Sequence, residues 1–173
     1  MVSNVHRRTI AVPAAVVGAL LGTLSGEDER VWPGDWPRMR FDRPLGVGAV
    51  GGHGPVRDVV DQYEPGRSVR FRFTGPRGFR GHHGYRVEPQ TATSSVLDHT
   101  LTMRVTGFAR LSWPLFFRHL HDALIEESLD KVERQFAAET ITPHQRSAVA
   151  RTVVARIRDS RNRRHAGSVH DSS

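Results

Sequence analysis

Ten histidines supply most of the side chains in this chain that could move protons near neutral pH. His83 and Tyr85 lie two residues apart in a strand-like segment, and His99 lies in another, so alternation turns each toward one face of a sheet. His121 lies beside an apolar stripe on a predicted helix. We therefore take His99, His121 and Tyr85 as candidate general acids and bases. For any single histidine, a hydrogen-bonded place in the core is the simpler interpretation.

The spacing of the histidines does not indicate a metal site. His119 and His121 are two residues apart on a helix, so they point to different sides, and His82 and His83 are adjacent on a strand. No pair has the i, i+4 helical spacing of a zinc site. We therefore predict no metal ligands, although a set assembled from distant positions is left open.

A nucleotide cofactor is also not expected. Residues 46–51 match the pattern G-x-G-x-x-G, which binds a dinucleotide only where the turn opens a helix. Here Gly52, Gly54 and Pro55 follow, and these residues cannot begin a helix. The run predicts a glycine-rich hairpin, and we expect no cofactor.

The candidate residues require a sheet and a long helix to bring them together. Residues 111–136 show the three-and-four apolar spacing of a helix with one buried face, formed by Phe117, Leu120 and Leu124. A clean alternation precedes it, in which Leu97, His99, Leu101 and Met103 share one strand face. We predict strands at 5–12, 44–50, 56–63, 69–73, 82–88 and 95–106 (the longest), a turn at 51–54, a loop at 89–94, and short helices at 14–24 and from Ser25.

Two further groups are left with open interpretations. The irregular segment with Trp32, Trp36, Met39 and Phe41 either caps one mouth of a cavity or plugs an end of the core. Arg57 shares a strand face with Val59, and periodicity does not decide which face points inward. If Arg57 points inward, it is a partner for a carboxylate ligand.

The C-terminal segment carries most of the net charge of +7. Residues 141–173 contain seven arginines and two aspartates, whereas the rest of the chain has 18 basic and 16 acidic side chains. We predict a capped helix from Thr142 to about residue 161, and disorder from 163 to 173. This basic helix packs on the domain or on a second subunit, which leaves a homodimer open, or it acts as an interaction surface. We do not expect nucleic acid as a partner.

The composition also limits the location of the protein. Residues 10–24 are apolar, but they are too few to span a bilayer, and no good cleavage site follows them. The chain has no cysteine, which excludes disulfides and thiolate chemistry. We expect a cytoplasmic protein without a transmembrane segment.

The order of these elements resembles the START-like helix-grip superfamily, also called SRPBCC, which includes the Bet v 1-like proteins and the polyketide cyclase/dehydrase group. The resemblance rests on the segments TIAVP (9–13), YEPGR (63–67) with the following VRFRF, and LHDALIEESLD (120–130), and it covers about residues 4–138. The glycine-rich segment from Gly51 and the segment WPLFFRHLHDAL look like an actinobacterial branch of it.

The resemblance implies an α+β helix-grip fold, in which a curved antiparallel sheet wraps around a long C-terminal helix, with one extra helix after it. We assign residues 1–140 to this domain, 141–162 to the appended helix and 163–173 to the tail. The implied function is binding of a hydrophobic or amphipathic small molecule between sheet and helix, and catalysis is left open, since some members act as cyclases or dehydrases. The expected ligand-binding residues are Arg57, Phe71, Phe73, His83, Tyr85, His99, Leu101, Met103, Phe117, Leu120, His121 and Leu124.

Overall fold

A seven-stranded antiparallel sheet forms the centre of the computed structural model, which describes residues 1–137 and 146–169. Its strands lie in the order β1-β7-β6-β5-β4-β3-β2, so the first strand pairs with the last along its whole length. The strands are β1 (Val2–Ile10), β2 (Arg40–Phe41), β3 (Val50–His53), β4 (Val56–Glu64), β5 (Ser68–Gly75), β6 (Phe79–Thr91) and β7 (Ser94–Val105).

The helices complete the α+β helix-grip fold that the sequence predicts. They are α1 (Ala14–Leu21), α2 (Ala109–Ser112), α3 (Arg118–Arg134) and α4 (Ala148–Val169), and a π-helical turn at Trp113–Phe117 joins α2 to α3. The predicted helix at 111–136 therefore forms, with a wider turn around Pro114 near its start. No helix within the described ranges is both long and apolar enough to cross a bilayer.

The core lies between one face of the sheet and α3. Alternation along β5 to β7 turns Phe71, Tyr85 and Leu97 inward, and all three are buried. From α3, Leu129 and Val132 meet them with no exposed surface. The inward face predicted for β7 is thus the buried one, and it places His99 inside the molecule.

The structure shows which face of strand β4 points toward the core. Val56, Asp58 and Val60 are buried, whereas Arg57 is exposed and donates hydrogen bonds to backbone carbonyls of its own hairpin. Two register shifts, next to Arg57 and after Val60, interrupt the pairing with β5. Arg57 therefore faces away from the core, so the inward orientation on which its expected role as a ligand partner depended is not found.

Several element bounds in the N-terminal half differ from the sequence-based expectation. Residues 25–29 form turns rather than a second short helix, because Ser25 adopts a positive φ of 65° and its N–H bonds to the side chain of Glu29. Residues 44–48 form bends and a turn, and strand β3 begins only at Val50. Most of the predicted turn at 51–54 is therefore strand.

The C-terminal half shows longer elements than expected. Strand β6 continues to Thr91 through the first half of the predicted loop at 89–94, and at 13 residues it is longer than β7. Helix α4 continues past residue 161 to Val169, so residues 163–169, expected to be disordered, are helical. The predicted cap at Thr142 and the last four residues lie outside the described ranges.

Candidate functional site

An apolar cavity of about 320 Å³ lies between the sheet, α3 and α4. Phe73 of β5, Phe79 and His83 of β6 and Leu101 of β7 form one wall, and α3 contributes residues at three-and-four spacing to the opposite wall. The lining residues are Trp32, Trp36, Pro37, His53, Gly54, Pro55, Val56, Phe73, Phe79, His83, Leu101, Trp113, Phe116, Phe117, Leu120, His121, Leu124, Ile125, Val153 and Ile157.

Aromatic rings around the π-helical turn shape one end of the cavity. Phe79 packs edge-to-face against Trp113 and against Phe117, at centroid distances of 6.0 and 5.2 Å. Trp113 and Phe117 are four residues apart, about one helical turn, so they lie on the same side and both line the cavity. This end therefore offers rigid aromatic surfaces to a flat ligand.

The irregular segment at residues 29–39, called the tryptophan loop below, closes another part of the wall. Trp32 donates its indole N–H to the carbonyl of Pro37, and Trp36 donates to Glu127 on α3. His53 packs on Trp32 with 4.6 Å between ring centroids. Both tryptophans line the cavity, which agrees with the first of the two interpretations of this segment, while Met39 is buried outside the lining.

Helix α4 covers the cavity and is held by ion pairs. Val153 and Ile157 contribute to the lining, and Val154 is buried against the domain. Arg146 pairs with Glu127 on α3 and with Asp35 in the tryptophan loop, the latter at 2.9 Å. Its hydrogen bond to Asp35 lowers the pKa of that carboxyl group. Sequence analysis missed this covering role, since nothing in the spacing of the arginines identifies their partners.

His83 lines the cavity but directs both ring nitrogens away from it. Its Nε2 lies 3.3 Å from Oδ1 of Asp58, and its Nδ1 lies 3.4 Å from Nε2 of His99. The ring stacks on Phe73, with 4.8 Å between centroids. His83 therefore presents ring carbons to the cavity, and Asp58, which the sequence did not single out, lies fully buried behind it.

His121 is a polar lining residue whose two ring nitrogens both lack a hydrogen bond within the described ranges. Both ring nitrogens are shielded from solvent, and neither has a hydrogen-bond partner among the described residues. Burial lowers the pKa of His121, and it lowers that of His99 well below the ordinary value. A buried imidazole without a hydrogen bond is suited to bind a hydroxyl or carbonyl group of a ligand.

Tyr85 and His99 occupy the layer behind the cavity wall. Tyr85 bonds to Ser128 at 2.8 Å, and burial raises the pKa of its hydroxyl group. The ring of His99 packs between those of Tyr85 and His121, at centroid distances of 4.7 and 5.2 Å. Neither Tyr85 nor His99 lines the cavity, so the structure separates two of the three candidate acid–base residues from it.

Of the twelve predicted ligand-binding residues, the structure brings seven to the cavity. These seven are Phe73, His83, Leu101, Phe117, Leu120, His121 and Leu124. Phe71 and Met103 point inward as predicted but are covered by other core residues, and Arg57 is exposed. The residues missed include Phe79, His53 and Trp113, of which only Trp113 had a signal, its position one turn before the apolar stripe of α3.

Comparison with known proteins identifies a family and a set of solved structures with the same fold. A family model described as "Polyketide cyclase / dehydrase and lipid transport" matches residues 1–137. A comparison with curated proteins gives no match.

Three solved structures share the fold at low sequence identity. A protein from Thermobifida fusca is 17% identical with a TM-score of 0.64, covering 83% of this chain and all of that one. Norcoclaurine synthase from Thalictrum flavum, solved with dopamine and hydroxybenzaldehyde, is 15% identical with a TM-score of 0.58, covering 80% and 90%. CalU16 from Micromonospora echinospora is 13% identical with a TM-score of 0.55, covering 90% and 83%.

Proposed function

Because the chain belongs to the polyketide cyclase/dehydrase and lipid transport family, we propose that it binds a small hydrophobic or amphipathic molecule between its sheet and α3. The observation that carries the proposal is the apolar cavity of about 320 Å³ with His121, a buried polar group without a hydrogen bond in the described part of the chain, in its wall. Apolar walls with a few placed polar groups are typical of small-molecule sites.

The size and walls of the cavity narrow the class of ligand. Ligand pockets span roughly 300 to 1,000 Å³, so this one lies near the lower limit. Aromatic surfaces from Trp113 and Phe117 favour a flat ring, and His121 favours a hydroxyl or carbonyl group on it. A polyketide-like molecule of one or two rings fits these features better than a long-chain lipid.

Acid–base catalysis on the same ligand is a second candidate function. It is favoured by His121, which lines the cavity and has no hydrogen bond from the described residues at either ring nitrogen, whereas Tyr85 and His99 lie behind the wall. Catalysis of a cyclisation or dehydration would therefore depend mainly on His121. The remaining alternative, an interaction protein acting through its C-terminal helix, has less support because the apolar side of α4 is used inside the molecule, at Ala150 and Val154.

The binding proposal is tested by filling the cavity. Native mass spectrometry of the protein from its own host identifies a co-purifying molecule, and a panel of hydroxylated aromatic compounds and short fatty acids tests binding by thermal shift. We expect Leu120→Trp to weaken binding by at least about tenfold, because the larger side chain occupies ligand volume. Leu111→Trp is the matched control, since Leu111 is exposed and outside the cavity. A clean apo mass with no stabilising compound would refute the proposal.

The His121→Ala variant separates binding from catalysis. A protein that only binds loses affinity through a missing contact, whereas an enzyme loses turnover by about 10²-fold or more while binding is retained. His119→Ala, which changes an exposed histidine on the same helix, is the control.

A further inference from the structure

Strand β1 and helix α3 meet along a polar seam that the proposed function does not use. Alternate side chains of β1 point at α3, among them Asn4, His6 and Arg8. Helix α3 contributes His121 and Asp122 to the part of this seam around His6. Residues far apart in sequence are thus brought together, an arrangement that the histidine spacing could not predict.

Three potential metal-ligand atoms, one each from His6, His121 and Asp122, lie close together in this part of the seam. Nε2 of His6 lies 3.3 Å from Oδ1 of Asp122, and Nδ1 of His121 lies 3.7 Å from the same oxygen. All three atoms lie within 4.8 Å of one another. A tetrahedral zinc ion with bonds of about 2.0–2.1 Å holds its ligand atoms roughly 3.4 Å apart. Small side-chain movements would bring the three atoms to that spacing.

A surrounding shell already orients these ligands. Nδ1 of His6 lies 2.6 Å from Oε1 of Glu126, which fixes the ring with its Nε2 toward Asp122. Asn4 donates to Oδ1 of Asp122 at 2.6 Å, and a carboxylate oxygen has a second lone pair for a metal. A carboxylate that accepts the second N–H of a histidine is the usual outer partner of a metal-bound imidazole.

The unsatisfied nitrogens of His121 provide an independent observation. Its Nδ1 is buried and lies too far from Asp122 for a hydrogen bond, so a metal ion between them would satisfy both groups. The charges of the described part of the seam also favour a bound cation, because four carboxylates face three guanidinium groups. The carboxylates are those of Asp122, Glu126, Asp130 and Glu133, and the guanidinium groups are those of Arg8, Arg118 and Arg134.

We propose that His6, His121 and Asp122 bind a divalent first-row transition-metal ion, with Zn²⁺ as the preferred probe. Two imidazoles and one carboxylate suit Zn²⁺ or Co²⁺ better than Mg²⁺ or Ca²⁺, which prefer oxygen ligands alone. Three protein ligands leave a fourth position for water. The site adjoins the cavity through His121, but the proposal of metal binding does not depend on the proposal of ligand binding.

The test is direct metal binding to the untagged full chain after chelator treatment. We expect one Zn²⁺ per chain with a Kd in the micromolar range or below by calorimetry, and a visible ligand-field spectrum with Co²⁺. His6→Ala and Asp122→Asn should each abolish stoichiometric binding at that concentration. Glu126→Gln should weaken binding by about 10–100-fold, because Glu126 acts through His6. His119→Ala should bind as the unchanged protein does.

A measurement on the unchanged protein protects the test against misfolded variants. In ¹⁵N spectra of the histidine side chains, Zn²⁺ should shift Nε2 of His6 and Nδ1 of His121. Absence of one-to-one binding would overturn the proposal. So would binding that survives His6→Ala, or that disappears equally in His119→Ala.

Discussion

The hydroxyl oxygen of Tyr85 lies 2.8 Å from Oγ of Ser128, and Ser128 donates its own proton to the carbonyl of Val31 at 3.0 Å. Since a serine hydroxyl has a single proton, Tyr85 must be the donor in the first of these bonds. The chain of two hydrogen bonds ties β6 to α3 and to the tryptophan loop. The proton of Tyr85 is thus committed to a structural bond.

Tyr85→Phe should therefore lower stability without weakening ligand binding. We expect the free energy of unfolding to fall by about 1 kcal/mol, the usual net value of a buried neutral hydrogen bond. Urea unfolding measures the loss, and titration with a panel compound measures affinity. Tyr63→Phe is the matched control, because the described residues provide no hydrogen bond to the Tyr63 hydroxyl. A large loss of affinity in Tyr85→Phe, without a similar loss in Tyr63→Phe, would show that the Tyr85 hydroxyl group takes part in ligand binding.

Asp58 and His83 should show strong energetic coupling. Asp58 is fully buried, its oxygens have no aligned hydrogen bond, and His83 Nε2 is 3.3 Å away. Replacing one member of a buried pair costs about 3–5 kcal/mol, because the other is left without compensation. Replacing both with apolar residues of similar size removes that penalty. We expect Asp58→Val and His83→Phe each to destabilise strongly, and the double variant to recover most of the loss.

A double-mutant cycle by urea unfolding measures this coupling. A coupling energy of about 2 kcal/mol or more is expected for groups in contact. Additive losses in the two single variants would show that Asp58 and His83 do not interact.

His53 should contribute to destabilisation in acid. Burial, with smaller contributions from His83, His121 and Arg57, lowers the pKa of His53 from 6.5 to about 3. Below pH 6.5 the unfolded chain therefore binds a proton that the folded chain does not, so the free energy of unfolding falls as the pH drops toward about 3. The contribution is at most about 1.4 kcal/mol per pH unit.

The variant His53→Phe isolates this contribution while keeping a ring against Trp32. Between pH 7 and 4, the free energy of unfolding of the variant, measured with denaturant, should fall less steeply with decreasing pH than that of the unchanged protein. The difference in slope should correspond to up to one bound proton. An unchanged slope would mean that His53 is protonated in the folded protein.

Arg146 should hold α4 over the cavity. Its guanidinium group bridges Glu127 and Asp35, at 2.7 and 2.9 Å. Loss of hydrogen bonds to charged groups costs about 1.5–3 kcal/mol, so Arg146→Ala should speed hydrogen exchange in α4 by roughly 10–100-fold. Arg156→Ala removes the same charge from an exposed position on α4 and should leave the exchange rates unchanged. Equal effects of the two variants would indicate that general charge, rather than the bridge, retains the helix.

Local periodicity predicted the parts of the site that lie on regular elements. Alternation identified the inward face of β7 with Leu101, and three-and-four spacing identified Leu120 and Leu124 on α3. These patterns depend only on neighbours along the chain, so they could be read without knowing the fold.

The features that the sequence did not predict depend on contacts between segments that are far apart along the chain. Periodicity treated the two faces of β4 as equivalent, since one carried Arg57 and the other Asp58, and burial of a carboxylate is the less expected outcome. The approach of His6 to His121, and of Arg146 to Asp35, joins residues more than a hundred positions apart. No sequence spacing encodes such pairs.

Lys131 is the only lysine in the chain, and it anchors the tryptophan loop to α3. Its ammonium group donates to the carbonyls of Glu29 and Trp32 at 2.8 and 2.7 Å, and burial lowers its pKa. An amine-directed reagent consequently has one side-chain target, and that target is protected while the loop is docked. The rate of covalent labelling at Lys131 would therefore report how often this wall of the cavity opens.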